Sequence, residues 1–245
     1  MDVCWTTCFV ELGNARMTYD FRIEQFKHLA NTGVAFVVYA CSKTLPTLVE
    51  ALKEYEQVRV VGVSLNDYAM YSVLSDESLQ LPEKHNVTKD TRDYITLMNL
   101  KTSMVQDTMR RVKARNYGWV DFSITYICPN NIAEVQARLK LLGSRYYDNV
   151  IIPGCTEPSP DIRIDTPFWR FCGGLFIGDA ASVAEFAELY LKHAPVIMKT
   201  YNKIMWEVNV WAFLERDCGW RPLWIKADHD VSIFPLWDKM SSLQV

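Results

Sequence analysis

Several signatures of large protein classes are missing from the sequence. It contains no CxxC pair, no GxGxxG or Walker A loop and no GxSxG elbow, so zinc-knuckle, dinucleotide-binding, P-loop and α/β-hydrolase chemistry are disfavoured. Only 4 histidines occur, and no two of them have the spacing of a zinc site. No apolar run reaches the roughly 18 residues of a membrane span, so no transmembrane segment is expected.

An excess of either charge is also absent. The chain carries 26 Lys and Arg residues against 29 Asp and Glu residues, a formal net charge of -3 at pH 7, so we expect no nucleic-acid partner held by bulk charge. The 7 cysteines are odd in number and show no disulfide framework, and the stretch from Met1 to Thr7 has no basic signal region. Both observations favour reduced thiols in a cytoplasmic protein.

Apolar residues are plentiful and regularly arranged. Hydrophobic residues make up 49% of the chain and aromatic residues 13%, which is enough for a sizeable core. Runs such as Val34 to Cys41 (VAFVVYAC) are typical of strands covered on both faces, as in a parallel sheet. Such runs alternate with segments of helical period, which predicts a single α/β domain over residues 1–245.

The predicted elements can be placed along the chain. The predicted strands are 4–12, 34–41, 58–64, 117–126, 148–153, 171–179 and 223–227. The predicted helices are 19–31, 46–55, 95–115, 131–142, 181–190 and 195–214. Residues 66–93 are polar and weakly patterned, and we interpret them as a mobile insertion or lid.

The strongest local signal for chemistry is an acid inside an apolar strand. Asp121 follows Trp119 and Val120 and precedes Phe122. Burying a carboxylate there is costly unless it is paired or bound to a cation. Because ligands of open α/β sheets gather where strands end, we expect Asp121 to project into a polar site. The alternative is an Asp that starts a turn or caps a helix.

Three stretches of sequence carry a family resemblance. They are CFVELGNAR at Cys8 to Arg16, Asn99-Leu100-Lys101 leading to YGWVDF at Tyr117 to Phe122, and FCGGLFIG at Phe171 to Gly178 followed by WEVN at Trp206 to Asn209. Their order and spacing cover most of the chain. The pattern resembles the HtrL/YibB-like family of glycosyltransferase-like proteins and, more broadly, the GT-A fold of nucleotide-sugar glycosyltransferases.

The resemblance implies a fold and a reaction. It implies a single-domain GT-A-like fold, with a Rossmann-type mixed sheet flanked by helices. The implied function is transfer of a sugar from a nucleotide-diphosphate donor, a UDP-sugar by default, to a glycan or another hydroxyl acceptor, with inversion preferred. A divalent cation, Mn²⁺ or Mg²⁺, would assist the leaving diphosphate.

The resemblance also implies residues for that metal. Asp121 falls where the first acid of a DxD motif would stand, but Ser123 occupies the place of the second acid. Ser123 would then act through its hydroxyl or a bridging water. Asp228 and His229 follow the last predicted strand and would complete the metal or diphosphate site, although a solvated loop accounts for them equally well.

Further roles follow from the same resemblance. Arg16 and Lys101 would bind the phosphates or base of the donor, with Lys101 on the polar side of its helix. Glu207, near the start of a late helix, would be the general base that activates the acceptor. Gly173 and Gly174 would let the backbone approach the sugar. The alternatives are a solvated lysine, a surface glutamate and tight strand packing at the glycines.

Two points remain open on the sequence alone. Trp169, Trp206 and Trp211 could stack on sugars, although packing in the core is the commoner use of tryptophan. Because Ser123 replaces an acid, the alternative function is a non-catalytic GT-A-like module that binds a glycan or a nucleotide sugar. A Rossmann-type oxidoreductase is a third interpretation, which the missing glycine fingerprint disfavours.

Overall fold

The computed structural model describes residues 1–13, 17–83 and 85–236. Over these residues, seven strands form one sheet in the order β3-β2-β1-β4-β6-β5-β7. The strands are β1 (Val3–Phe9), β2 (Ala35–Ala40), β3 (Val58–Gly62), β4 (Asn116–Val120), β5 (Ile151–Gly154), β6 (Leu175–Asp179) and β7 (Leu223–Lys226).

The sheet is mixed because one strand runs against its neighbours. β1 pairs in parallel with β2 and β4, and β2 pairs in parallel with β3. β6 lies antiparallel to both β4 and β5, and β7 returns parallel to β5. This arrangement confirms the predicted α/β fold with a mixed sheet flanked by helices, while its GT-A-like character stays a prediction.

Helices cover both faces of the sheet. They are α1 (Tyr19–Ala30), α2 (Leu45–Leu52), α3 (Tyr71–Leu74), α4 (Arg92–Asn99), α5 (Lys101–Arg111), α6 (Ile132–Ser144), α7 (Ala180–Thr200) and α8 (Glu207–Asp217). One buried cluster joins the sheet to α5, α7 and α8, and a second joins it to α1, α2 and α6.

The alternation of side chains in β1 explains how one strand serves both clusters. Cys4 and Cys8 belong to the cluster on the α5 side, whereas Trp5 and Phe9 belong to the cluster on the α1 side. Successive side chains of a strand point to opposite faces, so a central strand under two helical layers has both faces buried. β1 is buried along its whole length, as its sequence requires.

Two predicted helices have different boundaries in the structure. The predicted helix over 95–115 is two helices, because the chain bends at Leu100, which ends α4 and precedes α5. The predicted break between 190 and 195 does not occur, because α7 runs through Pro195, and the predicted helix over 195–214 is instead interrupted between Thr200 and Glu207. Proline lacks the N–H that a helix interior uses, but Ala194 and Met198 on either side are fully buried and keep that turn packed.

All seven strands are shorter than predicted, and two of these differences matter for the position of the polar residues. β4 ends at Val120, and a short 3-10 helix over Ile124–Ile127 follows, so Asp121 lies just beyond the strand and not in its middle. β6 begins at Leu175, so the pair Gly173-Gly174 precedes the strand and does not interrupt it. Pairing of β4 with β6 stops at Val120 and Leu175, which brings Asp121 and the glycines to one edge.

The weakly patterned segment before α4 has some regular structure. It contains a 3-10 turn over Leu65–Asp67, helix α3 and an isolated bridge between Gln80 and Lys203. The guanidinium of Arg92 donates hydrogen bonds to the carbonyls of Leu74, Asp76 and Leu79 at 2.7–3.0 Å. Those bonds join the segment to the start of α4. Its role as a lid stays a prediction.

A long loop between β5 and β6 is attached to α8 by two buried polar side chains. Asn209 donates to the carbonyls of Arg163 and Thr166 and accepts from the backbone of Phe168 at 2.6–2.8 Å. Arg170, only 4% exposed, forms a two-point ion pair with Glu215 at 2.6 and 2.8 Å. This loop carries the residues that enter the candidate site.

No helix within the described ranges is both long enough and apolar enough to cross a membrane.

The attachment of this loop can be tested by breaking the Arg170 ion pair. Arg170→Met leaves the half-buried Glu215 without its ion-pair partner in a contact that is mostly shielded from water, and we expect the free energy of unfolding to fall by about 3 kcal/mol. The matched control is Lys53→Met, which breaks an exposed pair with Glu50 and should leave stability nearly unchanged. Urea unfolding checks both variants, and equal shifts in the two midpoints would contradict the structural role of Arg170.

Candidate active site

A cleft of about 370 Å³ opens at the edge of the sheet where β1 and β4 end and β6 begins. Asp121, Gly173 and Gly174 line it at that edge. This is the side of an open α/β sheet at which ligands bind, because the loops after the strands leave a crevice there. The fold therefore places the strongest sequence signal where a ligand site is expected.

Three helices begin around the same cleft. Arg22 lies near the start of α1, Lys101 is the first residue of α5, and Glu207 is the first residue of α8, and all three line the cleft. The first turn of a helix carries unpaired N–H groups and a partial positive charge. The cleft is thus surrounded by groups that favour an anionic ligand.

Lys101 is the buried centre of the site. It is 1% exposed, and its Nζ donates to the carbonyl of Gly173 at 2.8 Å and to Oε1 of Glu207 at 2.9 Å, and lies 3.2 Å from Oδ1 of Asp121. Burial by itself lowers the pKa of Lys101, but the charges of Asp121 and Glu207 outweigh it and raise that pKa above its usual value. Lys101 is therefore a buried cation and not, as its helix position indicated, a solvated one.

The three donor positions of the ammonium group thus each face a protein acceptor. A donor phosphate that bound to Lys101 would have to displace Gly173, Glu207 or Asp121. The expected phosphate contact at Lys101 stays a prediction, while the geometry favours a role in holding the two carboxylates in place.

The second and third of the stretches that carry the family resemblance meet around Lys101. Asn99, at the end of α4, donates to the carbonyls of Ile95 and Met205 at 2.7 and 3.0 Å and accepts from the hydroxyl of Tyr190. The bond to Met205 holds the chain just before α8 beside the start of α5. The contacts of Lys101 with Asp121, Gly173 and Glu207 then join the other segments of these two stretches, so motifs far apart in sequence form one site.

Gly173 is small because Glu207 approaches it closely. A Cβ at Gly173 would overlap the carboxylate of Glu207, and a Cβ at Gly174 would lie 3.0 Å from Ile124 and 3.1 Å from Ile233. Tight packing, the alternative to an approach to a sugar, therefore accounts for the glycine pair. Both glycines still line the cleft, so that approach stays a prediction.

Asp121 is held by hydrogen bonds on three sides. Its Oδ1 accepts from the indole Nε1 of Trp119 at 2.7 Å, besides the contact with Lys101. Its backbone N–H donates to Gly174 at 2.9 Å, and its carbonyl accepts from Ile124 at 3.0 Å. The side chain of Asp121 is 41% exposed, so among the charged groups around Lys101 it is the one that can reach a ligand from solvent.

Glu207 is the enclosed member of the cluster. Its side chain is 4% exposed, and its Oε1 bonds to Lys101. Within the described part of the chain its Oε2 has no hydrogen-bond partner, although the residue lines the cleft. An unpartnered buried carboxylate oxygen is uncommon and is a candidate acceptor for a proton or a ligand N–H or O–H.

Arg22 is a cation of the cleft that no sequence pattern singled out. Its Nε donates to the hydroxyl of Ser123 at 3.3 Å, and its guanidinium stacks 4.3 Å from the ring centroid of Phe9. Burial lowers the pKa of Arg22, and nearby acidic groups, Asp121 among them, oppose that shift. Its terminal Nη atoms have no partner among the described residues, so they can bind an anion.

The surroundings of Asp121 and Ser123 fit a divalent cation poorly. The ammonium of Lys101 lies against Asp121 and the guanidinium of Arg22 against Ser123, and each would repel a metal ion there. The structure instead groups Asp228 and His229 with Cys155, their ligand atoms all within 4.8 Å of one another. Asp121 is not in that group. The joint metal role of Asp121, Asp228 and His229 stays a prediction.

The other predicted residues are distributed unevenly. Trp169 and Trp206 line the cleft, with Trp169 39% exposed, whereas Trp211 is fully buried in the core. Trp211 is therefore a packing residue. Arg16 lies outside the described residues, so its predicted contact with the donor is neither supported nor opposed.

Two residues of the site carried little signal in the sequence. Arg22 stands in an ordinary amphipathic helix, and only its place one turn after a β1-α1 loop could have indicated it. Cys155 directly follows β5, beside the chain that leaves β7. Finding Cys155 required the strand order, which places β5 next to β7, and that order is not readable from local pattern.

No protein-family model matches the chain, and no curated protein matches it in sequence. In structure it is similar to a 4-diphosphocytidyl-2C-methyl-D-erythritol synthase from Anaerococcus prevotii (TM-score 0.47, 9% identity, 99% of this chain and 96% of that chain). It is also similar to a nucleotidyl transferase from Methanothermobacter (TM-score 0.47, 11% identity, covering 99% of this chain and 95% of that chain). A Mycobacterium tuberculosis protein solved as a complex with manganese gives a TM-score of 0.41 at 7% identity, over 98% and 96% of the chains.

Likenesses this remote assign neither a substrate nor a reaction to the chain. The fold rests on its own strand order, and the resemblance to the HtrL/YibB-like family remains a prediction.

The ion pairs of Lys101 with Asp121 and Glu207 make a prediction about the stability of the fold. Lys101→Met leaves Glu207 buried and uncompensated, and should lower the free energy of unfolding by about 3–5 kcal/mol. Adding Glu207→Gln to that variant should restore part of the loss, because the unpaired charge is removed. Urea unfolding of the wild type, both single variants and the double variant checks this, and losses that simply add would contradict it.

The raised pKa of Lys101 also predicts how its contribution to the free energy of unfolding depends on pH. Because the pKa of Lys101 is raised on folding, its contribution is fully present below the unfolded value of about 10.4 and is lost only as the pH rises beyond it. The deficit of Lys101→Met relative to wild type should therefore be constant between about pH 7 and pH 9. A deficit that vanished at the upper end of this range would contradict the assigned charge.

Proposed function

We propose that the chain is a transferase that takes a sugar from a nucleotide-diphosphate donor and passes it to a hydroxyl group of a glycan or another acceptor. The observation that carries the proposal is the Asp121–Lys101–Glu207 cluster at the floor of the cleft. It combines one half-exposed carboxylate with one enclosed carboxylate, both fixed by a buried cation. A UDP-sugar is the default donor, from the family resemblance.

The electrostatics of the cleft support an anionic donor. Arg22 presents unpaired N–H donors, and the starts of α1, α5 and α8 surround the same space. A diphosphate is matched by a planar guanidinium, which can donate two parallel hydrogen bonds. The leaving diphosphate would be neutralised by Arg22 and by the helix starts, so no step here depends on a metal at Asp121.

Glu207 supports a role in activating the acceptor. Lys101 fixes one oxygen of its carboxylate, while Oε2 is buried and unpartnered among the described residues, in a residue that lines the cleft. A general base must lie within hydrogen-bond reach of the hydroxyl from which it takes a proton. An acceptor activated opposite the leaving diphosphate would attack from the far side of the sugar, so inversion is the stereochemistry that we propose.

The role of Glu207 predicts a specific kinetic change. Glu207→Gln keeps an oxygen for Lys101 but removes the base, so kcat should fall by about 100- to 10,000-fold with little change in KM. The measurement is consumption of UDP-, GDP- and CMP-sugars with and without Mn²⁺, first alone and then with hydroxyl acceptors. The matched control is Glu185→Gln on the exposed face of α7, which should be fully active.

The same assay separates catalysis from binding alone. A non-catalytic binding module would show saturable nucleotide-sugar binding with no donor hydrolysis and no transfer, in wild type and variants alike. That result would contradict the proposed transferase and favour the non-catalytic binding module. Dependence on Mn²⁺ would support metal assistance, which the contacts of Asp121 do not favour.

Arg22 makes a separate prediction about binding. Arg22→Met should raise the Kd of the nucleoside diphosphate by about 10- to 100-fold, since a charged hydrogen bond contributes about 1.5–3 kcal/mol. Calorimetric titration checks the value, and Arg110→Met, on an exposed part of α5, is the matched control. Equal affinities in the two variants would remove Arg22 from the donor site.

A further inference from the structure

The sheet order brings a thiol, an imidazole and a carboxylate together at one rim of the cleft. β5 and β7 are adjacent and parallel, with Gly154 paired to Lys226, so the residues after the two strands meet. Cys155 directly follows β5, and Asp228 and His229 follow β7. The backbone bond from Ala227 to Gly154, 2.8 Å long, continues the pairing up to this point.

Two of the three distances among these groups match the spacing of ligands around a single small metal ion. Sγ of Cys155 lies 3.8 Å from Nδ1 of His229, which lies 3.6 Å from Oδ1 of Asp228. All three ligand atoms are within 4.8 Å of one another. With metal–ligand bonds of about 2.0–2.3 Å, the edges of a tetrahedral zinc site are about 3.3–3.8 Å. Small shifts of these three side chains would bring all of their ligand atoms within bonding distance of one ion.

The donor types select the metal. A thiolate is a soft ligand and an imidazole a borderline one, and together they favour Zn²⁺ over Mn²⁺ or Mg²⁺, which prefer oxygen. One Asp completes a set of three protein ligands, the number that leaves a position open in catalytic zinc sites. The sequence alone favoured a hard metal because Cys155 is far from Asp228 along the chain and was not expected beside it.

The charges around this cluster differ from those around Asp121. Among the described residues no Lys or Arg forms an ion pair with Asp228, whose charged neighbour is His229 itself. His229 also packs edge-to-face against Trp169, with ring centroids 4.5 Å apart, which restricts its ring. Since His229 lines the cleft, an ion held here would face the bound ligand.

We propose that Cys155, Asp228 and His229 bind one Zn²⁺ ion at the rim of the cleft, with a fourth coordination position open to water or to an oxygen of the ligand. The site is independent of the proposed transfer reaction: it requires only the contacts around these three residues. It shares Asp228 and His229 with the metal site implied by the family resemblance, but it replaces Asp121 with a thiolate.

Metal binding itself provides the test. The full chain is stripped of metal, kept reduced because Sγ of Cys172 lies 3.5 Å from Sγ of Cys155, and titrated with Zn²⁺, Co²⁺ and Mn²⁺. We expect one Zn²⁺ per chain, weaker binding of Mn²⁺, and a thiolate-to-cobalt charge-transfer band in the Co²⁺ form. This spectrum of the wild type does not depend on the folding of any variant.

Variants then locate the site. Cys155→Ser should raise the Kd for Zn²⁺ by more than about 100-fold, since loss of an outer-shell partner alone costs about 10- to 100-fold. Asp228→Asn should weaken binding as well. Cys218→Ser, which alters a half-buried thiol at the end of α8, is the matched control and should bind as wild type does.

Three results would overturn the proposal. They are no Zn²⁺ binding by the reduced wild type, a Co²⁺ form without the charge-transfer band, and wild-type affinity in Cys155→Ser. This experiment measures neither nucleotide binding nor sugar transfer. Absence of zinc binding would therefore leave the proposed function intact, and absence of transferase activity would leave the zinc site intact.

Discussion

A buried ammonium group has to find an acceptor for each of its N–H bonds, and in this protein that requirement determines the shape of the cleft. Lys101 meets it with Asp121, Glu207 and the carbonyl of Gly173, which belong to three separate parts of the chain. Water cannot replace any of them at a position that is 1% exposed. The end of β4, the start of α8 and the approach to β6 are therefore held in a fixed relation.

The charged groups that line the cleft around Lys101 differ from one part of the cleft to another. Arg22 and the helix starts offer hydrogen-bond donors and positive charge, which match a diphosphate. His229 also lines the cleft, and it forms a group of potential metal ligands with Cys155 and Asp228, in which Asp228 has no Lys or Arg ion-pair partner among the described residues. Glu207 lines the same cleft, and its Oε2 is buried and has no hydrogen-bond partner among the described residues.

The fold could be predicted from the sequence because most strand residues are apolar, as in β2, and the long helices show helical periodicity. Asp121 was found for a related reason: a carboxylate within an apolar run is costly unless it is paired or faces a ligand. Lys101 was assigned to a polar face because helical periodicity cannot show that two carboxylates from distant segments compensate a buried charge. Arg22 and Cys155 were missed because their roles come from strand order, which brings together residues far apart in the chain.

The most direct test of the role of the buried lysine is a crystal structure of the chain with a bound nucleoside diphosphate, UDP first. We expect the diphosphate to lie against Arg22 and Ser123, with Lys101 still joining Asp121 to Glu207 and Oε2 of Glu207 open to the acceptor side. A diphosphate bound directly to Lys101, with Glu207 released, would contradict the structural role of the buried lysine. A nucleotide bound outside the cleft would contradict the proposed function itself.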